Sequence, residues 1–158
     1  MRASDGVIRT DTQFSVFLAN KPAVLAKICH QLADDKVNVV AMSMMDSTEH
    51  GVLRVVAEDA AQARKSLKGL DVPTAETKVL ITTLPNRPGA LADVVERLAT
   101  HHVGVNYAYC TTGARNGKTT GVFCISDIKK GTKVLGERAP RRKSGVKAVR
   151  KAPAARQR

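Results

Sequence analysis

The sequence predicts an α+β protein built from two successive β-α-β-β-α-β units with antiparallel sheets. Three observations carry this: an internal repeat, the same succession of strands and amphipathic helices in each copy, and an aliphatic composition. The chain has 158 residues, of which 43% are hydrophobic, only 3% are aromatic and none is Trp. A core is therefore affordable, and it must be aliphatic. Residues 14–38 overlay residues 80–104 at a constant offset of 66, with Asn20 on Asn86, Pro22 on Pro88, Leu25 on Leu91, Leu32 on Leu98 and Val37 on Val103. Further on the offset becomes 68, which brings Asp59 onto Asp127 and Leu67 onto Leu135. The two extra residues fall in Thr111–Thr120, whose Gly, Asn and Lys content marks a hairpin loop. Loop tips are where insertions are tolerated.

Each copy reads alike. Gln13–Leu18 and Lys78–Leu84 are β-rich runs. An Asn-basic-Pro turn follows, and Pro22 and Pro88 suit a first helical turn, where a missing N–H costs nothing. The helices then place Val24, Leu25, Ile28, Cys29 and Leu32 on one face, and Leu91, Val94, Val95 and Leu98 on the corresponding face of the second copy. Second strands are expected at Val37–Met45 and Val103–Thr111, and third strands at Val52–Ala57 and Thr120–Ser126. Asp59 and Asp127 look like N-caps of a shorter second helix. In the first copy that helix carries Ala60, Ala63 and Leu67 and ends at Gly69. A fourth strand at about Val72–Thr77 runs almost directly into the next copy. This is the ferredoxin-like plan. The second copy has no equivalent of Val72–Thr77, so it either lacks its last strand or uses Thr132–Leu135 as one. The expected organisation is residues 12–77, residues 78–135 and a tail, 136–158.

The net charge of +12 is concentrated in that tail, which holds 9 Lys and Arg against Glu137 alone. Its Ala-, Pro- and Gly-rich composition cannot offset the entropy of ordering, so a disordered basic appendage is expected. Nonspecific polyanion contact through residues 137–158 follows as an expectation. Three cysteines without CxxC spacing exclude a disulfide framework and a structural zinc site, and fit a reducing cytoplasm. No apolar run approaches the roughly 20 residues of a membrane span, and Met1–Thr10 has no signal-peptide character.

The turns carry a resemblance. Asn86-Arg87-Pro88-Gly89-Ala90-Leu91, followed after the helix by Val103-Gly104-Val105, resembles the ACT domain. Asn20-Lys21-Pro22-Ala23-Val24-Leu25 with Val37-Asn38-Val39 is similar to it as well. The likeness spans about residues 12–135, and the chain resembles small tandem ACT proteins without a catalytic domain. The resemblance implies two ACT repeats and a non-catalytic regulatory protein. It also implies a small ligand, most often an amino acid, held between paired domains by the first turn of one and the second strand of another. No cofactor and no metal are implied. The turn chemistry agrees: Gly lets a ligand approach the backbone, helix-start N–H groups suit a carboxylate, and an Asn amide reads an amino group or hydroxyl.

Ligand-binding members of the family often pair this Asn with an Asn opening the second strand. Here the second copy keeps Asn86 and Gly89 but has Gly104, and the first keeps Asn38 but has Ala23. A complete site would combine Asn86, Arg87, Pro88, Gly89, Ala90 and Leu91 with Asn38 and Val39 of another unit. The reciprocal site, from Asn20, Ala23, Val24 and Leu25 with Gly104 and Val105, would be the weaker one. Small units with open sheet edges should pair, so a homodimer is expected.

Other residues read more plainly. His101 and His102 end a helix without a third ligand, Cys29 and Cys124 read as core thiols, and Cys110 reads as the accessible one. Met42, Met44 and Met45 form a soft patch on the second strand. An RNA-recognition reading shares the fold plan, but the third strands carry only Phe123 where stacking aromatics are needed. A purely structural dimerisation module is the remaining alternative.

Overall fold

The protein is described here by a computed structural model covering residues 8–19, 21, 23–46, 50–111 and 118–137. The expectations for Asn20, Pro22, most of the Thr111–Thr120 loop and all of the tail beyond Glu137 lie outside the described residues. In chain order the elements are β1 (Ile8–Ala19), α1 (Val24–Asp34), β2 (Val39–Asp46), β3 (His50–Ala57) and α2 (Ala60–Gly69). Then come β4 (Thr74–Pro85), α3 (Ala90–Thr100), β5 (Val105–Cys110), β6 (Lys118–Ile125) and α4 (Ile128–Gly136).

The six strands form one antiparallel sheet in the order β2-β3-β1-β4-β6-β5. The fourth strand of the first copy and the first strand of the second are a single strand, β4. Its early residues pair with β1 and its late ones with β6, from Leu80↔Phe123 to Pro85↔Lys118. In return the first half of β1 lies where the second copy's last strand belongs, with Ile8 opposite Thr82 and Thr10 opposite Leu80. Residues 132–135 are helical, so of the two alternatives the second copy lacks a last strand of its own, and the strand reading of 132–135 is corrected. The place is already filled from β1. Thr12 pairs with Lys78, its own repeat equivalent, and Lys78 Nζ donates to Thr12 Oγ1 at 2.8 Å. The pseudo-twofold relating the copies therefore passes through this pair.

Period-two alternation decides which side each strand residue faces. Phe14, Val16 and Leu18 of β1 with Leu53, Val55 and Ala57 of β3 bury against Ile28 and Leu32 of α1 and Ala63 and Leu67 of α2. In the second copy Leu80, Leu84, Phe123 and Ile125 bury against Val94 and Leu98 of α3 and Val134 and Leu135 of α4. Among the described residues the opposite face carries no helix, yet it buries Ala41, Val56, Val79, Ile81, Val122 and Cys124 beside Tyr107 and Tyr109. That requires the sheet to curl, helix-free side inward.

The helix stripes are narrower than the sequence implied. Cys29 is exposed, and so are Leu91 (47%) and Val95 (40%). Burial follows Ile28/Leu32 and Ala90/Val94/Leu98, because a short helix lying on a sheet buries little more than its i, i+4 line. Cys124 is buried and Cys110 exposed.

Candidate functional site

The two ACT-like turns are built differently from the other helix starts. Asp59 caps α2 by accepting from the N–H groups of Ala61 at 2.8 Å and Gln62 at 3.0 Å, and Asp127 caps α4 by accepting from Lys130 N–H at 2.9 Å. α1 and α3 begin instead from Ala23 (φ 70°) and Gly89 (φ 84°), and neither N-cap gives a side-chain hydrogen bond to the first turn. The left-handed N-cap takes the place expected inside the helix, so Pro88 precedes the cap rather than occupying the first helical turn. Proline fixes its own φ but cannot supply the positive φ that turns the chain here.

Around the second turn, Arg87 donates from Nη2 to Asp93 Oδ2 at 2.9 Å and from Nη1 to the Pro88 carbonyl at 3.1 Å. The guanidinium is thus fixed over the start of α3. Asn86, Arg87, Pro88, Gly89 and Leu91 are exposed, whereas Ala90 is a core residue. In the first turn Ala23 is exposed, and Val24 and Leu25 are half-buried against the first core.

Asn38 opens β2 with its side chain engaged: Nδ2 donates to Glu58 Oε2 at 2.9 Å, and Glu58 N–H donates to the Asn38 carbonyl at 2.9 Å. Gly104 keeps the backbone half of this arrangement, accepting from Ser126 N–H at 2.9 Å, while the Ser126 hydroxyl accepts from Gly104 N–H at 2.9 Å. Val39 and Val105 are both exposed, at 38% and 37%. Asn38 and the Asn86–Leu91 turn lie at the same end of the sheet, but β3 and β1 stand between β2 and β4. β1 and β4 are antiparallel, which puts the other turn, with Gly104, at the opposite end.

A polar cluster that the sequence reading passed over fills the concave face. Gln13 is 0% exposed. Its Nε2 donates to Tyr107 OH at 2.7 Å and Ser15 Oγ at 3.2 Å, and its Oε1 accepts from Tyr109 OH at 3.1 Å. The Arg54 guanidinium stacks 4.3 Å from the Tyr107 ring centre. Burial pushes both tyrosines above their ordinary pKa, Tyr109 the further. Tyr107 and Tyr109 two apart on one strand were the available signal. Partial desolvation also raises the thiol of the otherwise exposed Cys110. Among the described residues no three His, Cys, Asp or Glu side chains converge as a metal site. His101 Nδ1 lies 2.8 Å from the Arg97 carbonyl at the end of α3. Phe123 is 0% exposed on the helix side, so it has no face to offer a base.

The family model described as an ACT domain pair matches residues 9–138. The chain belongs to the ACT domain-pair family. Its fold is similar to that of a protein from Bacteroides thetaiotaomicron at 31% identity, covering 82% of this chain and 88% of that one, with a TM-score of 0.75. The ligand-free regulatory subunit of aspartate kinase from Thermus thermophilus matches 83% of this chain and 94% of its own at 10% identity, with a TM-score of 0.60. A crystal structure of aspartokinase alpha and beta subunits matches 84% of this chain at 14% identity, covering 95% of its own, with a TM-score of 0.57. No curated protein is similar enough to count as a relative. The low identities of the two kinase structures establish shared fold alone. Among the described residues, no helix of this ACT pair is long and apolar enough to cross a membrane.

Proposed function

We propose that this ACT pair is a non-catalytic regulatory protein that binds a small ligand, an amino acid, at the Asn86–Leu91 turn. The observation that carries the reading is the contrast in helix starts: α2 and α4 are capped by Asp, whereas α1 and α3 open from left-handed N-caps without side-chain caps. At α3 the turn that leads into the helix, residues 86–89, is exposed, and the dipole there favours a carboxylate. Arg87, held by Asp93, adds a cation beside it. The shared fold with the regulatory subunit of aspartate kinase from Thermus thermophilus accords with this reading.

The second half of the site is Asn38 and Val39, supplied by a second copy because β3 and β1 separate them from the turn within one chain. Homodimerisation fits the exposed edge strand β2, where Val39, Met42, Met44 and Met45 are 38–53% exposed beside an unpaired ladder edge.

Calorimetry with each free amino acid, followed by four variants, tests this. Asn86→Ala and Asn38→Ala should each weaken binding by about 1–3 kcal/mol, because each leaves buried ligand groups unpaired. Gly89→Val should block the approach to the backbone, and Asn20→Ala should matter little. Equal losses at Asn20 and Asn86 with two ligands per chain would replace the composite site by two equivalent ones. No loss at any of the four would reduce the turn to a helix start.

A further inference from the structure

The groove between α1 and α2 is a cleft of about 320 Å³ lined by Gln31, Asp35, Gln62, Lys65, Ser66 and Gly69. It lies apart from both ACT turns. The repeat supplies a comparison inside the same chain. Gln31 corresponds to Arg97, Ser66 to Val134 and Gly69 to Glu137. In the second copy Arg97 reaches into the equivalent groove, and its Nη2 donates to the carbonyls of Val134 and Glu137. In the first copy the shorter Gln31 instead donates from Nε2 to Asp35 Oδ2 at 2.9 Å. The guanidinium's place is left open.

What lines the open place is rich in acceptors. Gln62 Nε2 donates to the Asp35 carbonyl, so both glutamine amides spend a donor on Asp35 and keep their Oε1 atoms. The Ser66 hydroxyl is the telling group. Ser66 is only 4% exposed, and its Oγ meets no hydrogen-bond geometry with any described residue. It does lie near Asp35: the Gln31 amide first, and then the Ser66 hydroxyl, hold that carboxyl below its usual range. A buried hydroxyl whose hydrogen turns toward Asp35 keeps its lone pairs for a donor entering the cleft.

We propose that the α1–α2 cleft binds the guanidinium of a small zwitterionic guanidino compound, seated where the Arg97 side chain sits in the second copy. The guanidinium presents its fork of donors to the Asp35 carboxylate, the Ser66 hydroxyl and the carbonyls of Ser66 and Gly69. Lys65 stands at the exposed rim. It would repel a simple cation, and it pairs with a ligand that carries a carboxylate at its other end.

The test uses the full chain and four probes: L-arginine, agmatine (which lacks the carboxylate), L-lysine and L-alanine. Amide NMR shifts on α1 and α2 and the thermal midpoint are read together. L-arginine should shift Gln31, Asp35 and Ser66 and raise the midpoint, agmatine and L-lysine should bind at least tenfold more weakly, and L-alanine should do neither. Gln31→Arg should fill the cleft as Arg97 does and abolish the arginine shifts with the fold intact. Ser66→Val, the residue of the second copy, is the independent variant if Gln31→Arg does not fold, and should weaken binding at least fivefold while raising the midpoint without ligand. Asn86→Ala should leave the cleft shifts unchanged, which separates this cleft from the turn. Arginine shifts that survive both cleft variants, or none in the wild type at millimolar arginine, would overturn the proposal.

Discussion

Ala23 and Gly89 hold the same place in the two copies and adopt the same left-handed backbone, φ 70° and 84°. A Cβ costs about 1–2 kcal/mol in that region, and replacing Gly by Ala returns about 0.4–1 kcal/mol through the unfolded chain. A Cβ at Gly89 would meet only Arg87 Nη1, at 3.7 Å, so no clash complicates the comparison. Gly89→Ala should therefore cost up to about 1.6 kcal/mol and Ala23→Gly should add up to as much. Urea denaturation of both single variants checks it, and shifts of the same sign would refute the strain argument. The sequence located these turns and their residue types. It could not show that Ala23 adopts a positive φ, nor that Asn38 is already bonded to Glu58, a neighbour that β3 brings in.

The helices divide by how they start, and that division was legible because a cap is a local device. Asp59 accepts two N–H groups and Asp127 one. Replacing either by Ala should lower stability by about 1 kcal/mol, with Asp59 the larger loss, as read from thermal midpoints of the two variants. Equal and negligible losses would mean that packing alone fixes α2 and α4. The strands were legible as β-rich runs but not as partners. No Gly, Pro, Asn or Asp interrupts Thr74–Leu84, so the backbone runs straight through the repeat boundary as one strand. The repeat suggested a break there that no residue enforces. Helix faces were read too wide for a similar reason: Leu91 and Val95 satisfy the helical period, yet the sheet below covers only the Val94/Leu98 line.

At the scale of the molecule, the two repeats share β1 and β4 and close on each other through the concave face. Sequence alone gives no measure of that curl, because it depends on Tyr107 and Tyr109 of edge strand β5 reaching Gln13 of β1 across β6 and β4. The closure has a pH signature. Tyrosine ionises near 10.0, and burial first, for Tyr109 with the neighbouring Tyr107 second, raises both phenols above that value in the folded chain. A group whose folded pKa is raised contributes stability that is fully present below its unfolded pKa and is lost as pH rises through the folded one. Stability should accordingly hold to about pH 9 and fall as pH climbs past about 10. Tyr109→Phe removes one titrating phenol together with its bond to Gln13. At neutral pH that should cost about 1 kcal/mol, but the alkaline decline should become shallower. Urea midpoints of both proteins across this range decide it. Parallel declines would show that Tyr109 ionises as freely in the folded chain as in the unfolded one, so that its end of the concave face is open to water and its bond to Gln13 does not help to close the two repeats on each other.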